Sequence, residues 1–260
     1  MLSAISIKEK VKESLEKYPA LYCRLLRRIY RDSPHGRRIL NPETKLVVEG
    51  FPRSSSSFAM RALEYSQGVD YPIATHTHSS AQIIRAVQLN IPCVVILREP
   101  IGSVVGMYSW ARELAYDEGR EDRVALTKMP IEFFLNKYIT FHKRLLPYTH
   151  GFVLATFEEV TGNFGNVIKK INEKYSLDLT MFDHTDDAVE VIRKMSDIHV
   201  LPSDRRKMYK EEGIKEYYRD IPEKVRKDAN SLYCALIKKY HEESGDAEVL
   251  MALRINKYCV

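Results

Sequence analysis

No apolar run in the 260 residues approaches the roughly 20 residues that a membrane span requires, so no transmembrane helix is expected. The first residues become charged at Lys8, Glu9 and Lys10, too early for the apolar core of a secretory leader, and no signal peptide is expected either. Cysteine is scarce. Cys23, Cys93, Cys234 and Cys259 have neither Cys-x-x-Cys spacing nor a disulfide-dense layout, which predicts reduced thiols, a cytoplasmic location and no metal site. Internal repeats are absent, as is low complexity beyond the four serines Ser54–Ser57. No ribonucleoprotein-type aromatic motif occurs, so nucleic-acid binding is not expected. No glycine lies between Pro52 and Gly68, so the pattern G-x-x-x-x-G-K-[ST] of metal-assisted phosphate loops is missing from the place where it would fall.

The composition is that of a globular protein, 45% hydrophobic and 29% charged, and at about 150 residues per domain the length does not compel more than one. Residues 1–260 are therefore expected to form a single domain, with an N-terminal helical segment over 1–40. There Ile7, Val11, Leu15 and Tyr18, then Leu21, Leu25 and Ile29, recur at helical spacing, and Pro19 kinks or splits the helix. Arg24, Arg27, Arg28, Arg31, Arg37 and Arg38 cluster in the same segment, either as a solvated helix face or as a peripheral contact with acidic glycan or membrane. The net charge of +5 fits an anionic ligand.

Strands are predicted near 45–49, 71–75, 93–97 and 152–156, the second of them starting as late as Ile73 because Pro72 has no donor for the ladder. Helices are predicted near 56–66, 79–89, 102–116, 131–147, 163–175, 186–195 and 223–244, with a last one over 247–257. Residues 198–218, polar and basic, read as a mobile loop. The alternation implies an α/β fold, a parallel sheet flanked by helices with ligands at the carboxyl ends of its strands.

Two of those ends carry chemistry. Val47-Val48-Glu49-Gly50-Phe51-Pro52-Arg53-Ser54-Ser55-Ser56-Ser57-Phe58 runs from a strand through a cationic, hydroxyl-rich turn into a helix. Main-chain N–H groups, hydroxyls, a guanidinium and the helix dipole would converge there on an anion. At the second end Arg98 follows Cys93–Leu97, where a phosphate-loop kinase commonly has a metal-holding Asp. A guanidinium there suits direct capture of a second phosphate and repels a metal.

These segments resemble the PAPS-dependent sulfotransferases, enzymes that use 3'-phosphoadenosine 5'-phosphosulfate. Pro52–Phe58 is similar to the family's 5'-phosphosulfate loop, and Leu97–Tyr108 to its 3'-phosphate strand and helix. Thr75-His76-Thr77-His78-Ser79 resembles its Lys-Thr-His segment, and Ala155–Val160 its Tyr-Glu-Asp-Leu stretch. The likeness covers about residues 45–160. It implies a phosphate-loop, nucleotide-kinase-like sulfotransferase fold, PAPS as donor, 3'-phosphoadenosine 5'-phosphate (PAP) as product, and a small-molecule or glycan acceptor bearing a hydroxyl.

By the same resemblance His78 is the general base, and Arg53 with Ser54, Ser55, Ser56 and Ser57 holds the 5'-phosphate. His76 either steadies the sulfonate or packs. Phe58 either stacks on adenine or belongs to the core, and Arg98 either pairs with the 3'-phosphate or forms a salt bridge with Glu99 or Glu113. Arg205 and Arg206, in Ser203–Lys207, are the candidates to close over the 3'-phosphate. The sequence departs from the family at Arg53 for Lys, at Ser55 for Gly, and at Gly106 for a phosphate-binding Ser, which leaves Ser103 or Ser109 as substitutes. Segments 110–123 and 133–148 are the candidate acceptor lining. Two rival readings are a metal-dependent phosphate-loop kinase acting on a nucleotide or small molecule, and a nucleotide-binding protein without turnover.

Overall fold

The computed structural model describes residues 11–117, 119, 124, 126–195 and 203–244. The chain separates into two compact units, each discontinuous in sequence. One comprises Leu15–Leu97 and Pro147–Leu201; the other comprises Met1–Ser14, Arg98–Leu146 and Pro202–Val260.

The first unit contains the sheet. Its strands are β1 (Leu46–Gly50), β2 (Ile73–Thr75), β3 (Cys93–Leu97) and β4 (Val153–Thr156), all parallel and ordered β2-β1-β3-β4. Every residue of β1 and β3 is buried, as expected of central strands covered on both faces. Pro72 lacks an N–H, and β2 begins at Ile73. The helices of this unit are α1 (Pro19–Ile29), α2 (Ser56–Gln67), α3 (Ser80–Gln88), α6 (Phe157–Gly162), α7 (Phe164–Tyr175) and α8 (Asp186–Met195). The N-terminal helical stretch is split as expected: residues 11–15 are helical, 16–18 interrupt the helix, and Pro19 opens α1, at the position where a missing N–H costs no intrahelical bond.

The core joins Leu46, Val48, Val94 and Ile96 of the sheet to Leu63 of α2 and to Phe164, Ile168 and Ile171 of α7. The Tyr175 hydroxyl accepts from Cys93 N at 3.1 Å and lies 2.9 Å from the Gly151 carbonyl, pinning the entry of β3 to the segment before β4. A capping box at Thr156 and Glu159 starts α6 directly after β4.

The second unit is helical, built from α4 (Pro100–Arg112), α5 (Ile131–Leu145), α9 (Asp204–Asp220) and α10 (Glu223–Ser244), with a π-turn over Glu113–Asp117. Helix α9 corrects the expectation of a mobile loop over 198–218; residues 198–202 lie outside the described chain. Ser203 caps α9 by accepting from Arg206 N, and only a narrow stripe, Arg206, Tyr209, Gly213 and Tyr217, is buried. That stripe is too polar to read as a core face, yet it packs closely. A Cβ at Gly213 would stand 2.9 Å from the Tyr108 ring, so glycine lets α9 approach α4. The expected helix over 247–257 also lies outside the described residues.

Cys23 and Cys93 are free and buried, whereas Cys234 is disulfide-bonded, correcting the expectation of four reduced thiols. Among the described residues no helix is long and apolar enough to cross a membrane.

Candidate functional site

In the first unit the turns after β1 and β2, which are paired neighbours, leave the same edge of the sheet. Four non-glycine residues in these turns have left-handed backbones: Arg53 (φ 71°), Ser55 (φ 73°), His76 (φ 60°) and His78 (φ 48°). Each such conformation costs energy that the surrounding structure must supply, and clusters of them mark functional sites. Ser55 adopts the left-handed conformation that glycine would take without cost.

The four hydroxyls after β1 have different partners. Ser54 Oγ is buried and donates to the Phe51 carbonyl at 2.7 Å, so this hydroxyl closes the turn rather than facing a ligand. A Cβ on Gly50 would lie 2.3 Å from it, which requires glycine there. Ser55 is the N-cap of α2, but its side chain makes no capping bond. Ser56 Oγ is buried, with the residue 4% exposed, and has no hydrogen-bond partner among the described residues. An orphaned buried hydroxyl at a helix N-terminus is what a site built for an absent polar ligand presents. Ser57 Oγ is 2.9 Å from His76 Nε2.

His76 is held at both ring nitrogens, its Nδ1 lying 3.0 Å from Thr75 Oγ1. Burial first, then the neighbouring His78, Arg38 and Arg61, pushes its pKa down to about 3, so the ring is neutral near pH 7. It can orient Ser57 as a neutral donor or acceptor, but brings no positive charge to a sulfonate.

His78 Nδ1 is 2.9 Å from the Gly50 carbonyl. A carbonyl only accepts, so Nδ1 carries the proton and Nε2 is the basic nitrogen. This is the tautomer a general base requires, fixed by the residue that ends β1.

Glu49 is the residue that sequence reasoning missed. It is fully buried, and its carboxylate accepts from Thr77 N (2.8 Å), Thr77 Oγ1 (2.7 Å), His78 N (3.1 Å) and Gln82 Nε2 (2.9 Å). Burial outweighs these donors and pushes its pKa up to about 7. The sequence did hold a signal, an acid closing the otherwise apolar strand Leu-Val-Val-Glu-Gly.

Phe58 packs on Phe164, Phe182 and His184, with ring centroids at 6.4, 6.4 and 5.6 Å. Half-buried against the core, it gains its packing from those three rings.

The remaining predicted residues belong to the second unit. Arg98 is the first residue after β3, with its side chain about one-fifth exposed and Nε 3.7 Å from Glu99. Ser109 Oγ donates to the Gly106 carbonyl of its own helix at 3.1 Å, which removes it as a substitute phosphate ligand. Ser103 Oγ is fully buried in the first turn of α4 and has no hydrogen-bond partner among the described residues. Arg205 is exposed. Arg206 is not: it is 2% exposed, and its guanidinium pairs with Glu113, Nε at 2.5 Å and Nη2 closer. The candidate lid arginine is thus half of an internal ion pair that docks α9 on the π-turn. Of the expected acceptor lining, 118 and 120–123 lie outside the described residues.

No protein-family model matches the sequence. No curated protein matches it. Among solved structures the chain is similar to a mouse sulfotransferase complexed with PAP, at 12% identity and a TM-score of 0.43, over 82% of this chain and 89% of that one.

Proposed function

We propose that this chain is a sulfotransferase that moves the sulfonate group of PAPS to an acceptor hydroxyl. The observation that carries the reading is the strained turn after β1, where Arg53, Ser55 and the orphaned buried hydroxyl of Ser56 meet the N-terminus of α2. Such a turn suits a phosphate or phosphosulfate, and the sequence resemblance over residues 45–160 supplies the chemical identity of the donor.

In this reading the acceptor oxygen attacks sulfur while its proton passes to His78 Nε2. The bond from sulfur to the 5'-phosphate oxygen breaks, and the charge left on PAP is held by Arg53 and the first N–H groups of α2. Arginine does not release its proton near neutrality, so Arg53 acts by charge and not as an acid. His76 positions Ser57. The 3'-phosphate is assigned to Arg98, with Ser103 in place of the missing Ser at Gly106. Arg205 remains a candidate for that phosphate; Arg206, committed to Glu113, is withdrawn. The acceptor class is a small molecule or glycan hydroxyl.

Thermal shift with PAP plus chelator against ATP plus Mg²⁺ separates this reading from the kinase reading, because ligand binding to the native state raises the midpoint. A shift with PAP alone, together with transfer of labelled sulfonate from PAPS to a hydroxyl acceptor that is lost in His78→Ala, is the expected result. A magnesium-requiring response confined to ATP would overturn it. PAP binding with no transfer across a broad acceptor panel would favour the protein without turnover.

A further inference from the structure

Glu49 cannot touch a substrate, since it has no solvent exposure. An apolar side chain would complete β1 without the cost of desolvating a carboxylate, so the presence of an acid there needs a reason. The reason lies in what it holds. Its two oxygens take the consecutive main-chain N–H groups of Thr77 and His78, flanked by left-handed residues 76 and 78. Successive N–H groups turned to one side by such a backbone form a concavity that binds anions. Here the anion is internal.

We propose that Glu49 is a positioning residue for His78, filling the main-chain concavity of the turn after β2 and thereby fixing the imidazole that takes the acceptor's proton. The kinetic part rests on the sulfonate-transfer reading; the structural part does not. Two consecutive residues of β1 divide the task. Glu49 holds the backbone of His78, and the Gly50 carbonyl holds its ring at Nδ1.

Gln82 extends the same network into α3. Its amide nitrogen donates to Glu49 and to the Arg38 carbonyl at 3.2 Å, and its oxygen accepts from Leu40 N at 2.8 Å. With the concavity filled by Glu49, the main-chain N–H groups of Thr77 and His78 are taken and are not what holds a nucleotide phosphate. Phosphate binding falls to the turn after β1, and base orientation to the turn after β2.

The test uses the full chain with Glu49→Gln and, because a buried substitution can impair folding, Thr77→Val, which deletes one of the four donors at similar size. An amide at position 49 sets its own NH₂ against donors and cannot accept from all of them. The ring of His78 is followed in long-range proton–nitrogen spectra assigned with His78→Gln, PAP affinity by calorimetry, and kcat and KM with PAPS.

The wild type is expected to show the Nδ1–H tautomer alone. Glu49→Gln is expected to show a mixture of tautomers, with PAP binding retained and kcat reduced by about tenfold or more. Thr77→Val should move in the same direction by less. A single Nδ1–H tautomer in both variants would overturn the proposal. So would a loss in Glu49→Gln confined to PAP affinity. If Glu49→Gln does not fold, the Thr77→Val spectrum decides. If the wild type transfers sulfonate to no acceptor, the function fails, while the tautomer comparison still tests the role of Glu49.

Discussion

Glu49 and Glu113 are both buried carboxylates, one in each unit, and they are satisfied in opposite ways. Glu113 accepts from Ser203 and from two nitrogens of the Arg206 guanidinium, so its charge is neutralised by a permanent cation. Glu49 accepts from four neutral donors, which satisfy its lone pairs but leave the charge uncompensated. The first arrangement locks a helix in place and suits a structural contact. The second leaves a carboxyl that titrates near neutrality, beside left-handed turns, which is how a functional site differs from a strut.

Breaking the ion pair should have the largest effect. Glu113→Leu leaves Arg206 buried and unpaired, and removing one member of such a pair typically costs about 3–5 kcal/mol. Equilibrium denaturation should register that loss, while Glu113→Leu combined with Arg206→Met should recover most of it, because two apolar side chains leave no orphaned charge. A double variant as unstable as the single one would mean that the pair is not what docks α9.

The pH dependence of stability tests the buried acid of β1. The carboxyl of Glu49 is raised from an ordinary value near 4.5 to about 7 in the folded chain. A raised folded pKa means that its contribution is fully present below the unfolded pKa and is lost as pH rises through about 7. At 1.36 kcal/mol per unit, that loss is on the order of 3 kcal/mol between pH 4.5 and pH 8. The difference in stability between wild type and Glu49→Gln should therefore change over this window, in the direction of a wild type relatively weaker at pH 8. His76 and His142, both lowered by burial to about 3, act with the opposite sign, their contribution being lost as pH falls below about 6.5. They are common to both proteins and cancel in the comparison. A difference that stays flat from pH 5 to pH 8 would contradict the elevated carboxyl.

Nucleotide binding should respond next. If Arg53 holds the 5'-phosphate as proposed, Arg53→Ala removes a charge-assisted contact worth about 1.5–3 kcal/mol, roughly a tenfold to hundredfold weaker affinity for PAP by calorimetry. Alanine is preferable to glycine in this experiment because position 53 has φ 71°, where glycine would relieve strain as well as delete charge. Affinity unchanged in Arg53→Ala would remove the 5'-phosphate assignment.

Much of the sheet was legible because its strands are short apolar runs bounded by breakers. Pro72 delays β2, Pro92 precedes β3, and Pro19 and Pro100 lie in the first turns of α1 and α4. The turn from β1 into α2 was legible because Pro52, Arg53 and four serines follow an apolar strand directly. What escaped was set by partners distant in sequence. Arg206 reads as a surface cation until Glu113, 93 residues away, is found beside it. Helix α9 reads as a loop because Gly213 and Tyr209 form a face only against a neighbour such as Tyr108. Glu49 reads as one polar interruption in β1, and its meaning depends on Thr77 and His78, brought to it by the β1–β2 pairing.

The smallest effect concerns the cost of the turn after β1. Ser55 has φ 73° and ψ 25°, a conformation that disfavours a Cβ by about 1–2 kcal/mol, and its side chain makes no capping bond to α2. Glycine removes that strain but gives back about 0.5–1 kcal/mol through the greater freedom of the unfolded chain. Ser55→Gly should thus stabilise the protein by up to about 1.5 kcal/mol in equilibrium denaturation. Ser56, one residue on, is already inside the helix, where glycine has no strain to relieve and should destabilise by about 0.5 kcal/mol. Opposite signs at adjacent serines would locate the stored strain at the N-cap alone. Equal losses at both would mean that the Ser55 hydroxyl contributes more to the turn than its left-handed backbone costs.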